Sequence, residues 1–309
     1  MKTVPVVFAF SSRWEMPAGV CIHSLLSHAH KDTFYDIFIL CNEDFADSRI
    51  RLLPQQFPHC RITFRSVGNL FDDAYEIRGI TKETYYKLYI PELIPEYDKV
   101  IYSDVDVIFR EDLADVYDTD LGNCFFAAVD AFPVLNEDYL AYHRTIGLDP
   151  ESDGYFYAGN LIVNSRLIRE KNLIPRFLGH LHKPYRFQEM DIINLECRKN
   201  IKPLPPAFCL TGNYYEAIVT SRERLKNQYS DEELEHALKN GIVHYNGPKP
   251  WKEVCLNMDI WWDYYRRSVF FDEAFALGFW HDQTYRIEKM SLWKRIKQVA
   301  RYFRKGGRK

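Results

Sequence analysis

The 309-residue sequence predicts an α/β fold: a mixed, mostly parallel sheet flanked by helices, followed by a C-terminal helical appendage. Three observations carry this. Short apolar runs rich in Val, Ile and Phe, without polar alternation, suit strands buried on both faces. Segments with apolar residues at helical spacing separate these runs from the N-terminus onward, the order of a sheet with crossover helices. Composition then shifts after Trp251, where Trp261, Trp262, Tyr264, Tyr265, Phe270, Phe271 and Phe275 crowd one stretch.

Each element follows from its residues. Val4–Phe10 is the longest uninterrupted apolar run and ends in Ser11-Ser12, which predicts a buried first strand. Residues 17–30 predict a helix with Val20, Leu25 and Leu26 inward. Tyr35–Cys41 and Arg61–Val67 read as the second and third strands. Over residues 82–94, Tyr85, Leu88, Tyr89 and Leu93 fall at helical spacing. Lys99–Tyr102 reads as the fourth strand, and Phe125–Val129 and Leu161–Asn164 as two more. No internal repeat and no Gly/Ser linker divides the chain. One αβ domain is expected at residues 1–255, with the aromatic appendage at 256–309.

Composition narrows the function classes. Hydrophobic residues at 47% and charged residues at 27% are ordinary globular values. The net charge of −3 conceals two parts: the last twenty residues hold eight Lys/Arg and no acid, leaving 32 basic against 43 acidic residues elsewhere. A body at −11 is a poor partner for nucleic acid, whose binding depends on neutralising phosphates. The seven residues of the longest apolar run fall far short of the roughly 20 that span a bilayer. One Lys before that run and no small-residue cleavage site after it make a poor signal peptide. Seven cysteines with no CxxC pair argue against a disulfide framework or zinc ribbon. A soluble protein of the reducing cytoplasm is expected.

Two stretches carry the chemistry. Lys99-Val-Ile-Tyr-Ser-Asp104-Val-Asp106 runs a hydrophobic strand into two carboxylates, at the sheet edge where open α/β sheets bind ligands. Two carboxylates so spaced can turn toward one Mg²⁺ or Mn²⁺ ion, completed by substrate phosphates; acidic pairs also cap strands with no metal at all. In Ile242-Val-His244-Tyr-Asn-Gly247-Pro-Lys249-Pro-Trp251, a potential ligand, a glycine permitting close approach and a stiffened lysine lie within six residues. That grouping suits a metal-bound diphosphate.

Together these stretches resemble family 8 glycosyltransferases, in particular bacterial lipopolysaccharide glucosyl- and galactosyltransferases. Thr84-Tyr-Tyr-Lys87 through Tyr97-Asp-Lys-Val-Ile-Tyr, Asp118-Thr-Asp-Leu-Gly122, Tyr157-Ala-Gly159-Asn-Leu-Ile-Val-Asn164 and Gln188-Glu-Met-Asp191-Ile-Ile-Asn194 extend the likeness, which runs from about residue 5 to 252. The resemblance implies a GT-A, Rossmann-like fold. It also implies a UDP-glucose or UDP-galactose donor, Mn²⁺ (with Mg²⁺ as the alternative) and transfer with retention to a saccharide or lipid-linked glycan such as the lipopolysaccharide core. Carried over by position, Asp104, Asp106 and His244 fall on metal ligands. Ala9, Phe10, Ser11, Arg13 and Trp14 fall on the base and ribose segment, and Gly247 and Lys249 on the diphosphate loop. Lys87, Val105, Ala158, Gly159 and Glu189 join the nucleotide-sugar set, with Glu189 and Asp191 as candidate catalytic carboxylates. Departures are visible too. Lys87 stands at the usual Arg position, Tyr157 and Asn160 change the surroundings of the donor sugar, and Met190 cannot serve as a nucleophile. A covalent route would therefore fall to Glu189; the favoured alternative is a one-face transfer in which the leaving phosphate helps deprotonate the acceptor.

Leu292, Trp293, Ile296, Val299, Ala300 and Phe303 form a helical stripe, with Lys294, Arg295, Lys297, Arg301, Arg304 and Lys305 on most of the rest. This predicts an amphipathic helix at 290–305 lying in an anionic membrane surface, on the inner face of the cell membrane. Two competing readings remain. A haloacid-dehalogenase-like phosphatase also uses D-x-D at a strand end, though normally on the first strand. A non-catalytic sugar-nucleotide-binding protein would account for Met190 and for the turn Phe10-Ser11-Ser12-Arg13-Trp14, where Ser hydroxyls stand in place of the family's carboxylate contact to the base.

Overall fold

The structure, a computed structural model, describes residues 1–77, 79–297 and 300. In chain order the strands are β1 (Lys2–Ala9), β2 (Thr33–Cys41), β3 (Cys60–Ser66), β4 (Val100–Ser103), β5 (Val107–Ile108), β6 (Phe126–Ala128), β7 (Asn160–Val163), β8 (Ile201–Pro203), β9 (Leu210–Thr211) and β10 (Val243–His244). Seven form one sheet in the order β3-β2-β1-β4-β7-β6-β8. Pairing is parallel throughout except at β7, which runs antiparallel to both β4 and β6. Strands β5, β10 and β9 form a second, three-stranded sheet.

The unbroken apolar runs have a direct cause. Along β1, Val4, Val6 and Phe8 enter one apolar cluster while Val7 and Ala9 enter another, so both faces of the sheet are covered. The helix Glu15–Ser27 packs in the first cluster and buries Val20, Leu25 and Leu26 as expected.

Three local differences from the sequence expectation have physical reasons. Residues 82–94 form a 3₁₀ helix over Lys82–Tyr89 and one α turn over Ile90–Leu93. Pro91 lacks the amide an α-helix interior needs, and the period of three instead aligns Tyr85 with Leu88. Strands β5 and β9 have two residues each and carry no run to detect. Strand β8, Ile-Lys-Pro, ends the sheet, where proline is tolerated.

The aromatic stretch after Trp251 builds the helix Met258–Arg267, which buries Trp261, Trp262, Tyr264 and Tyr265 in the same cluster as Glu15–Ser27. Tyr264 is hydrogen-bonded to His28 Nε2 at 2.6 Å. A Cβ on Gly19 would lie 2.1 Å from the Phe270 ring, so that glycine is what lets the C-terminal segment seat. The helix Glu273–Glu288 follows. Leu277, Trp280, Tyr285, Leu292, Trp293 and Ile296 are exposed. Of the helix expected at 290–305, residues 292–297 are helical; Val299, Arg301, Phe303, Arg304 and Lys305 lie outside the described residues. Among the described residues no helix is long and apolar enough to cross a membrane.

Candidate active site

The strand order reverses direction between β1 and β4, so the connections leaving their carboxyl ends diverge and leave a crevice, the position where open α/β sheets bind ligands. A cleft of about 680 Å³ opens there. Strand β4 stops at Ser103, whose hydroxyl donates to Asn160 Oδ1 across the β4–β7 ladder at 2.7 Å. The Asp104 amide then donates to Gly159 O at 2.7 Å, which turns the carboxylate into the cleft.

His244 closes the constellation from the second sheet. Strand β10 pairs antiparallel with β5 and parallel with β9, and Tyr245 N donates to Asp106 O at 2.9 Å. His244 Nε2 consequently lies 3.2 Å from Asp106 Oδ1 and 3.8 Å from Asp104 Oδ2. Ligand atoms of Asp104, Asp106 and His244 all fall within 4.8 Å of one another. Lys249 Nζ sits 2.5 Å from Asp106 Oδ2. Lys87 Nζ, buried beneath, donates to Asp104 Oδ1 at 3.2 Å, Ala158 O at 3.0 Å and Glu189 Oε1 at 2.9 Å. Glu189 Oε2 accepts from Thr84 Oγ1 at 2.6 Å, and Tyr102 Oη donates to Asp104 Oδ1 at 2.8 Å.

The protonation states follow from this crowding. Burial alone would raise the Asp106 carboxyl, but Lys249 and His244 outweigh it and hold it well below the usual carboxylate range. Burial alone would lower the His244 imidazole, yet Asp106 drives it upward. Lys87 behaves likewise: burial opposes its charge, and Asp104 and Glu189 more than restore it. Lys87, Lys249 and His244 thus face a dense set of carboxylates. Two carboxylates and an imidazole, hard oxygen and nitrogen donors on one small volume, fit Mn²⁺ or Mg²⁺.

Of the nucleotide-sugar set, Ala9, Phe10, Ser11, Trp14, Asp104, Val105, Asp106, Ala158, Gly159, Glu189, Gly247 and Lys249 line the cleft. Among the described residues, Ser11 Oγ is buried without a hydrogen-bond partner. Gly159 has a further reason to be glycine: a Cβ there would lie 2.2 Å from His244 Cε1 and 3.0 Å from Asp104 Oδ2.

Three expected residues do not line the cleft themselves. Arg13 is the middle residue of the 3₁₀ turn Ser12–Trp14, where neighbours point about 120° apart. With Trp14 inward, its guanidinium donates at 3.0 Å to Oγ1 of Thr81, itself part of the cleft lining. Lys87 lies under the floor, its three donor protons on Asp104, Ala158 and Glu189. Asp191 follows Glu189 by two positions on the helix Gln188–Glu196, about 200° around its axis. Its oxygens accept from Tyr142 Oη at 2.6 Å, Tyr155 Oη at 2.5 Å and Phe187 N at 2.9 Å. Burial raises the Asp191 carboxyl in spite of these bonds. Its carboxylate lies behind the cleft wall, held by the two tyrosines. Asn160, at the start of β7, accepts from Ser103 through Oδ1, while its Nδ2 is buried without a hydrogen-bond partner among the described residues.

The cleft also contains residues the motifs did not single out: Thr84, Tyr102, Tyr155, Asn213 and Lys252. Lys252 carried a signal, since it stands three positions past Lys249 and its ammonium lies over the Trp14 ring, 5.8 Å from the centroid. Tyr155 and Asn213 carried none, because long connections bring them in. Asp104 follows β4 near the middle of the sheet, unlike the first-strand position of the phosphatase motif.

Residues 5–255 match the family model for glycosyl transferase family 8. The chain is similar to a Haemophilus influenzae protein named as a glycosyltransferase, 27% identical, with 84% of this chain and 76% of that one covered. An Arabidopsis thaliana protein named as a galacturonosyltransferase is 31% identical over 54% of this chain; the match spans 32% of the plant protein's length. Among solved structures, the bifunctional glycosyltransferase WbbM in its apo form superposes with a TM-score of 0.71 and 25% identity, covering 91% of this chain and 52% of that one. The galactosyltransferase LgtC, solved with donor and acceptor sugar analogues, has a TM-score of 0.70 and 24% identity, covering 88% and 99%. These neighbours bear out the GT-A fold.

Proposed function

The chain belongs to glycosyl transferase family 8, and from that premise we propose that it moves glucose or galactose from a UDP-sugar to a saccharide acceptor, with retention of anomeric configuration. The observation that carries the reading is the convergence of Asp104, Asp106 and His244 at the β1–β4 crevice, with Lys249 against Asp106. These three residues would hold Mn²⁺, with Mg²⁺ as the alternative. A bound ion there supplies Lewis-acid stabilisation of the charge on a departing diphosphate. Lys249 brings a second positive charge to the same oxygens, and Gly247 leaves its loop open to them. The unpartnered Ser11 hydroxyl, with Phe10 and Trp14, suits the base and ribose. The nucleotide-sugar domain is residues 1–255.

A Mn²⁺-dependent donor screen tests this. UDP release is expected with UDP-glucose or UDP-galactose in the presence of Mn²⁺ and absent with chelator. No metal-dependent release or binding with any nucleotide sugar would refute the reading.

The route of transfer turns on Glu189. Lys87 holds one of its oxygens and Thr84 the other, so neither is a free nucleophile, and this favours transfer on one face of the sugar. Glu189→Gln weakens the ion pair with Lys87 and is expected to slow turnover by no more than about 10²-fold, the scale of a weakened buried charge pair. Removing a nucleophile costs on the order of 10⁴–10⁶. Steady-state kcat for the variant separates the two.

We further propose that the acceptor is the lipopolysaccharide core or another lipid-linked glycan, met at the inner face of the cell membrane. Exposed Leu292, Trp293 and Ile296, with Trp280 and Tyr285 on the preceding helix, would insert beside the eight basic residues of the tail. Deleting residues 290–309 is expected to abolish co-sedimentation with anionic vesicles while transfer to a soluble saccharide persists. Equal binding of the intact chain to neutral and anionic vesicles would count against it.

A further inference from the structure

Cys209 occupies a place that no motif marks. It ends the 3₁₀ turn Pro206–Cys209, immediately before β9, and is fully buried. The second sheet sets its position. With Leu210 opposite Val243 and His244 opposite Val107, strand β10 lies between the chain that leaves Asp106 and the chain that leaves Cys209. The two nitrogens of one imidazole meet these two residues: His244 Nε2 is 3.2 Å from Asp106 Oδ1, and Nδ1 is 3.4 Å from Cys209 Sγ.

We propose that Cys209 is a positioning residue for cation binding: its sulfur accepts the Nδ1–H of His244 and aims the Nε2 lone pair at the space between Asp104 and Asp106. The inference rests on the reading of those three residues as a cation site. An imidazole ligand can coordinate through Nε2 only if its proton is on Nδ1, and that proton needs an acceptor when the ring is buried. His244 is 6% exposed, and Cys209 Sγ meets its Nδ1. Metal-bound histidines ordinarily donate this proton to a carboxylate, a carbonyl or water, all stronger acceptors than sulfur. Here shape supplements the weak bond. Cε1, the carbon between the two nitrogens, packs so close to Gly159 that a Cβ there would lie 2.2 Å away. A ring held at Cε1 and Nδ1 cannot rotate to present carbon to the ion. The sulfur thus substitutes packing for basicity, which costs no buried negative charge beside Asp104 and Asp106.

Mn²⁺ binding in the presence of UDP, followed by titration calorimetry or by the EPR signal of free Mn²⁺, tests this without turnover. Cys209→Ala is expected to weaken Mn²⁺ affinity about tenfold, the lower scale for loss of an outer partner. Cys209→Ser, which keeps an acceptor, is expected to stay within about threefold of the unaltered protein. In a His244→Ala background, Cys209→Ala is expected to have no further effect. UDP binding without metal is expected to be unchanged throughout, which separates mispositioning from a damaged fold. Unaltered Mn²⁺ affinity in Cys209→Ala, or an undiminished effect of that change in the His244→Ala background, would overturn the assignment alone. Absence of Mn²⁺ binding by the unaltered protein would overturn it together with the metal reading.

Discussion

Asp106→Ala is expected to lower metal-dependent turnover by at least about 10³-fold while leaving the fold intact. Asp106 is the carboxylate on which both Lys249 and His244 converge, so its removal deletes an ion ligand and strands two cationic groups side by side. The effect exceeds that of the other acidic changes because Asp104 has two supporting donors of its own, Lys87 and Tyr102, and does not depend on Asp106 for its place. UDP release with Mn²⁺ present, beside circular dichroism of the same sample, reads the result; activity within tenfold of the unaltered enzyme would refute it. The substitution carries a second signature. Asp106 is held below its unfolded value near 3.9, so the native state gains stability from the ionised carboxylate above that pH and loses it as pH falls through the acid range. His244 is raised, so its contribution is complete below about 6.5 and is lost as pH rises toward about 10. Both describe one pair and are not additive. In metal-free Asp106→Ala, both flanks of the stability profile are expected to flatten.

Gly159→Ala is the second change with a large expected effect. Its Cβ would stand 2.2 Å from His244 Cε1 and 2.9 Å from Nδ1, against a ring buried among Cys209, Asp106 and Asp104. One of the two must give, and the strand β7 backbone, tied to β4 by four residue pairs from Val100 to Ser103, is the less yielding. The imidazole is expected to swing out of line, with Mn²⁺ affinity falling on the order of 10²-fold and stability by about 1–3 kcal/mol, the usual range for overpacking. Calorimetric Mn²⁺ titration checks the first and thermal unfolding the second. Affinity within threefold of the unaltered protein would mean that the ring moves without consequence for the site.

How much of this was legible beforehand depended on sequence distance. The strand ending in Asp104-Val-Asp106 and the loop from His244 to Lys249 each place their chemistry within a few residues, so local pattern sufficed. Long strands β1, β2 and β3 were visible because burial on both faces demands an unbroken apolar run. What pattern could not supply was register. Cys209 reaches His244 across 35 positions and Tyr155 reaches Asp191 across 36, through ladders and connections that leave no periodic trace. Glu189 and Asp191 show the same limit: Gln188, Glu189 and Met190 all line the cleft, and it is the distant Tyr142 and Tyr155 that hold Asp191 behind it.

The seating of Phe270, Trp261 and Trp262 on the helix Glu15–Ser27 has a bearing on how the chain is made. That helix and the strand before it leave the ribosome more than 230 positions ahead of the aromatic cover for their outer face. At about 5–20 residues per second, an apolar face stands bare for some tens of seconds. During that interval the nascent chain offers a holdase a docking surface that the finished protein lacks. Late closure of this kind also orders assembly: the β1 side of the nucleotide crevice reaches its final packing only after the last aromatic helix has arrived.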